Sequence, residues 1–109
     1  MTAAEYHRMV VSTLTQNGWD CQVEVEVPSH SGRRGFIDIV ARKGLRTVGI
    51  ELDRSSPRDN SVFKLKQLRA THRFVVLREP LHNGIYALGV VTVLSGLNEL
   101  LEQLERKPA

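Results

Sequence analysis

The sequence predicts an α+β fold, one domain in which a mixed β-sheet is flanked by helices. Three observations lead there. Stretches with a hydrophobic period of two alternate with stretches of helical period, in the order helix, three strands, helix, strand, strand, helix. The turn Lys43-Gly44-Leu45 is short enough to join the second and third strands as a hairpin. A chain of 109 residues with 41% hydrophobic and 25% charged residues suits one core and not two, so residues 1–109 are read as a single domain.

The elements follow in chain order. Thr2-Ala3-Ala4-Glu5 has capping-box spacing, and Tyr6, Met9, Val10, Thr13 and Leu14 then share a helical stripe that Asn17-Gly18 ends. Trp19, Cys21, Val23, Val25 and Val27 alternate with Asp20, Gln22, Glu24 and Glu26, a half-buried strand that Pro28 stops. Ser29-His30-Ser31-Gly32-Arg33-Arg34-Gly35 reads as a flexible basic turn. Phe36–Arg42 and Arg46–Asp53 form the second and third strands, and Arg54 to Asn60 is a loop rich in Ser, Pro and Asn. Val62, Leu65, Leu68 and Arg69 carry helical spacing, with Lys64, Lys66 and Gln67 around the exposed side. Phe74-Val75-Val76-Leu77 is a short buried strand. The apolar run Tyr86–Leu94 fits a further strand or a buried helix segment. Ser95 caps a last helix with Leu97, Leu100, Leu101 and Leu104 inward and Glu99, Glu102 and Glu105 outward.

Composition excludes several classes of function. No apolar run approaches the roughly 20 residues that cross a bilayer, and the opening Met-Thr-Ala-Ala-Glu-Tyr-His lacks the basic and apolar segments of a secretory signal. Cys21 stands alone, so no internal disulfide or cysteine-rich zinc site can form, and a cytoplasmic protein is expected. His7, His30, His72 and His82 show no ligand spacing, and His30 is an exposed loop residue that could touch phosphate. Neither a glycine-rich phosphate loop nor a serine-nucleophile motif occurs, which disfavours nucleotide hydrolysis and acyl transfer.

Charge is unevenly placed. Twelve of the 15 Lys and Arg lie between His30 and Arg78 against four of the 12 acids, a local excess of +8 beside a whole-chain net of +3. Such a zone suits a polyanion, whose bound counterions are released on contact. The acids inside it are the informative ones. Asp38 interrupts Phe36-Ile37-Asp38-Ile39-Val40, and Glu51 and Asp53 share the face opposite Val48, Ile50 and Leu52. A carboxylate in mid-strand lowers strand propensity, and burying one unpaired costs several kcal/mol. Acids of hairpin-joined strands can meet on one side, where an arginine partner or a divalent cation would offset their repulsion.

A helix with Glu5, then Gly-Phe-Ile-Asp-Ile-Val-Ala, then Thr-Val-Gly-Ile-Glu-Leu-Asp and a basic helix, over roughly Glu5 to Leu77, resembles the PD-(D/E)XK nuclease superfamily. Its small members include restriction-endonuclease-like and Holliday-junction-resolvase-like domains. The resemblance implies a restriction-endonuclease-like sheet in the order αβββαβ, followed here by a further strand and a C-terminal helix. It also implies Mg2+- or Mn2+-dependent hydrolysis of DNA phosphodiesters. By position, Asp38 matches the family's strand aspartate and Glu51 the acid of its (D/E)XK element, both metal ligands. Glu5 matches the first-helix glutamate that completes the metal shell, in competition with its capping role. Where the family has lysine this chain has Asp53, which could bind metal or act as a base but cannot supply the positive charge. Lys64 is the candidate for a lysine moved to the next helix, or else an ordinary phosphate contact. Without that lysine, the chain could instead be an inactive nuclease-like domain that binds DNA or a protein.

Arg33, Arg34, Arg54, Arg58, Lys64, Lys66 and Arg69 would grip phosphates flanking the metal. With only six aromatic residues, mostly on core stripes, duplex or branched DNA read through its backbone fits better than stacked single strands. The family's resolvase-like members are commonly dimers, so a homodimer through Ile85–Leu94 or the last helix is expected.

Overall fold

The computed structural model describes residues 1–29 and 32–106; His30 lies outside them. The elements are α1 (Ala3–Gln16), β1 (Asp20–Pro28), β2 (Arg34–Lys43), β3 (Arg46–Asp53), α2 (Asp59–Gln67), β4 (His72–Leu77), β5 (Tyr86–Leu88), β6 (Val91–Ser95) and α3 (Leu97–Arg106). Six strands form one mixed sheet in the order β1-β2-β3-β4-β6-β5. The β1, β2 and β3 strands pair antiparallel, β3, β4 and β6 run parallel, and β5 returns antiparallel on β6. None of the described helices is long and apolar enough to cross a membrane.

Each side of the sheet has its own core. Tyr6, Val10 and Leu14 of α1 and Leu100 and Leu104 of α3 pack with Ile39, Ala41, Val48, Ile50, Phe74, Val76 and Leu94. On the other side, Leu65 of α2 packs with Ile37, Val40, Val75, Leu77, Val91 and Val93. Burying a side chain such as Leu14 or Leu65 stabilises by about 1.5–3 kcal/mol. The central parallel strands are covered on both faces, which is why β4 reads as an unbroken apolar run.

Local chemistry sets the boundaries. Thr2 and Glu5 form the reciprocal capping box at the start of α1, and Gly18 (φ 87) supplies the left-handed residue after its end. Gly44 (φ 60) turns the two-residue hairpin between β2 and β3.

Three sequence expectations are corrected. Tyr86–Leu94 is neither one strand nor a helix segment. Gly89 (φ 63) and Val90 fold it into the β5–β6 hairpin, a turn that an unbroken apolar run conceals. The Ser95 hydroxyl does not cap α3, because it is bonded to the main chain of Gly84 at 3.1 Å; instead the Ser95 N–H donates to the Glu99 carboxylate. Finally, β1 does not keep one apolar face. Cys21 packs in the α1 core, whereas Val25 and Val27 belong to the α2 core.

The switch in β1 has a visible cause. Glu24 has φ 54, a left-handed conformation that costs a non-glycine residue roughly 1–2 kcal/mol. In β2, Ile37 and Ile39 likewise belong to opposite cores. Asp38 stands between them, directly across from Glu24 in the register. The two strands therefore change faces together, and pairing resumes on both sides without a register shift. Glu24→Gly should leave the fold intact and raise its stability by about 0.5–1 kcal/mol in urea denaturation. A loss of stability would show that the Glu24 side chain, and not the backbone twist, holds the strands here.

Candidate active site

The site forms where β2 and β3 separate. Their ladder runs from Lys43↔Arg46 to Ile39↔Ile50, and Asp38 and Glu51 are the next residues in line. At that point carboxylates take the place of main-chain acceptors. The Asp38 N–H donates to Glu51 Oε2 at 2.9 Å, and the Leu52 N–H donates to Asp38 Oδ2 at 2.8 Å. Each side chain thus caps the main chain of the opposite strand, which satisfies buried donors that the divergence would orphan. Charge-assisted bonds of this kind are roughly twice as strong as neutral ones. The mid-strand acids therefore have a structural task.

Lys64 completes the group. It lies on α2 with Ser61 and Leu65 on the buried face, not on the exposed side that its charge suggested. Its ammonium donates to the Phe36 carbonyl at 2.8 Å and stands 2.5 Å from Glu51 Oε1. The contact with Glu51 is a charge pair and not an aligned hydrogen bond. Gly35 makes room for this lysine. A Cβ there would lie 2.8 Å from Lys64 Cδ. Sequence reading placed Gly35 in the basic turn, where its true role beneath a lysine stem was hidden.

The electrostatics are lopsided. Glu51 is fully buried. Burial first, and the neighbouring Asp38 carboxylate second, raise its pKa to about 8 against the opposing pull of Lys64. The Lys64 ammonium contacts Glu51 alone of the two acids, and Asp38 Oδ1 has no protein donor among the described residues. This donor set suits a small divalent cation, which takes one or two carboxylates and keeps several waters. No cluster of three or more His, Cys, Asp or Glu side chains that could hold a metal occurs among the described residues, and of the predicted ligands only Asp38 and Glu51 lie together.

The other predicted residues lie elsewhere. Glu5 is exposed and spends its carboxylate on the Thr2 N–H at 2.9 Å, a bond that lowers its pKa. Asp53 is buried but turned to α2. It accepts from the Arg58 N–H and Nε, both at 2.9 Å, and from the Ser61 hydroxyl at 3.1 Å. It anchors the start of that helix, as an N-cap side chain would. Neither acid joins Asp38 and Glu51.

The basic residues are only partly gathered. Strand directions put Arg33, Arg34, Arg54 and Arg58 at the same end of the sheet as Asp38. There Arg34 pairs with Glu26 at 2.9 Å, Arg54 with Glu79 at 2.6 Å and Arg58 with Asp53. The Arg54 pair raises the arginine's pKa and lowers that of Glu79. Lys66 and Arg69 are exposed farther along. Arg69 closely precedes Thr71, whose N–H reaches the Thr47 carbonyl at the opposite end of β3.

A cleft of about 310 Å³ opens beside Asp38 and is also lined by Tyr6, His7, Glu24, Leu52 and Arg78. His7 Nε2 donates to the Asp38 carbonyl at 3.2 Å. Sequence reading passed over His7, Glu24 and Arg78, because only the strand twist and the α1 crossing bring them together. No family model matches the chain, and no curated protein matches it.

The raised Glu51 pKa has a consequence for stability. Folded Glu51 holds its proton up to about pH 8, whereas an ordinary glutamate loses it near 4.5. Folding therefore takes up a proton between these values, and the contribution is fully present below 4.5 and lost as pH rises through 8. Denaturation series should show wild type losing stability relative to Glu51→Gln as pH rises from about 5 to 8. A difference that stays constant across this window would contradict the assignment.

Proposed function

We propose that this chain is a restriction-endonuclease-like domain of the PD-(D/E)XK kind that hydrolyses DNA phosphodiesters with Mg2+ or Mn2+. The observation that carries the reading is the reciprocal Asp38–Glu51 pair at the parting of two strands, with the Lys64 ammonium on Glu51. The order αβββαβ and the antiparallel-then-parallel sheet support the same reading.

Asp38 and Glu51 would hold the ion. When bound, it supplies Lewis-acid stabilisation of phosphate oxygens and lowers the pKa of water. The chain's own groups do the rest. Glu51 would have to be deprotonated, its proton released to solvent, to serve as a ligand. The Lys64 ammonium is held on Glu51 and the Phe36 carbonyl, and it supplies the positive charge that Asp53 cannot. Arg33, Arg34 at the start of β2, and the loop that carries Arg54 and Arg58 would present cations to flanking phosphates of duplex or branched DNA in the cytoplasm.

A specific observation favours a second reading. Lys64 already offsets one carboxylate, and Asp53 is closed by Arg58, so a cation-free binding module is self-consistent. Purified protein should nick supercoiled DNA with Mg2+ or Mn2+ and stop with a chelator. Asp38→Asn should abolish nicking, and Lys64→Ala should slow it roughly 100-fold or more. Salt-sensitive DNA retention with no nicking and no calorimetric heat from Mn2+ would favour the binding module. Nicking that survives both Asp38→Asn and Glu51→Gln would refute the site.

A homodimer contact fits β5 better than the last helix, whose Leu100 and Leu104 are buried in the core. The β5 edge is uncharged from Asn83 to Val90 and exposes Ile85, Tyr86, Leu88 and Val90, so a second copy could add antiparallel to it. Sedimentation should show a dimer that Leu88→Lys converts to monomer; a monomeric wild type at high concentration rejects the contact.

A further inference from the structure

The cleft beside Asp38 holds two buried donors that lack acceptors. Arg78 follows β4, and its N–H donates to the Asp53 carbonyl at 3.0 Å, which fixes the residue at the end of β3. Its guanidinium forms no ion pair or hydrogen bond among the described residues, although Glu24 and Asp38 line the same cleft. Arg78 Nε is buried and without an acceptor. Tyr6 is 7% exposed and lines the cleft from α1. The Leu97 N–H lies near its phenol oxygen, but no acceptor meets the phenol proton.

Buried donors nearly always find acceptors, and an orphaned one costs about 1–3 kcal/mol. The Arg78 guanidinium is a permanent cation on the wall of this cleft, and an oxygen-rich anion would give it the acceptors it lacks. A guanidinium matches two oxygens of a phosphate at once. Ala3 and Ala4 form part of the wall, and their small side chains leave the volume free.

We propose that the Arg78 guanidinium binds the non-bridging oxygens of a phosphodiester in this cleft. The inference rests on Asp38 and Glu51 being the hydrolytic site, and it supplies that site's phosphate-binding side. Glu24 and Asp38 repel an anion in the same cleft, so binding strengthens when a divalent cation covers them.

The test is fluorescence anisotropy of a labelled DNA duplex with and without Ca2+, together with calorimetry of Mn2+ on the same proteins. Arg78→Ala should weaken duplex binding about tenfold or more while Mn2+ affinity stays within about twofold. Arg78→Lys should restore part of the loss. Ca2+ should tighten the wild-type complex and have less effect on Arg78→Ala. Wild-type affinity in Arg78→Ala, or joint loss of duplex and Mn2+, overturns the assignment. Competition by inorganic phosphate as strong as that of the duplex, at equal phosphate, overturns the phosphodiester in favour of a free anion. Arg78-dependent duplex binding in a protein that takes no Mn2+ sinks the hydrolytic reading and leaves the phosphate contact standing.

Discussion

The parting of β2 and β3 is the constraint on which the rest depends. Past Ile39 and Ile50 the strands can no longer exchange main-chain hydrogen bonds, and their N–H groups face a buried gap. Side chains supply the acceptors that the opposite main chain no longer offers. Asp38 and Glu51 provide them reciprocally, and in doing so bring two carboxylates together in a poorly solvated place. Any single interaction of this type is modest. The combination forces the electrostatics, because neither carboxylate can move away without orphaning the opposite strand.

From that constraint the surroundings follow. Lys64 is buried against Glu51 and the Phe36 carbonyl, and Gly35 is small because the lysine stem crosses it. Asp53 has a separate duty, holding Arg58 and Ser61 at the start of α2, and so fixes the helix that carries Lys64. An aspartate at the position where the resembled family has lysine is therefore accounted for structurally. The positive charge reaches Glu51 from the helix instead. The twist at Glu24 and Asp38 carries β1 and β2 from one core to the other and opens the cleft on the α1 side.

Much of this was legible in the sequence. Helical stripes marked α1 and α3, and apolar runs bounded by turns marked β2, β3 and β4. Asp38 and Glu51 stood out because acids in apolar strands are expensive. Other features were hidden for physical reasons. The β5–β6 turn lies within residues that are all apolar. Lys64 counts as polar in any hydropathy pattern, so its buried position rotated the inferred face of α2. Glu24 matched the exposed phase of its strand, and only a left-handed backbone reveals that the phase breaks there. Arg78 looked like a strand boundary, because its neighbours in the cleft come from α1, β1 and β2.

The central claim is that Asp38 and Glu51 share one gap in which Glu51 keeps its proton until a divalent cation would take its place. Its most direct measurement is a carbon-13 carboxyl titration of Glu51 by NMR, with and without Mg2+. The account predicts a midpoint near 8 in the free protein and an acid shift of about one pH unit or more when Mg2+ is added. A midpoint near 4.5 that Mg2+ leaves unmoved would mean that Lys64 alone satisfies the pair, and the metal-dependent account would fall.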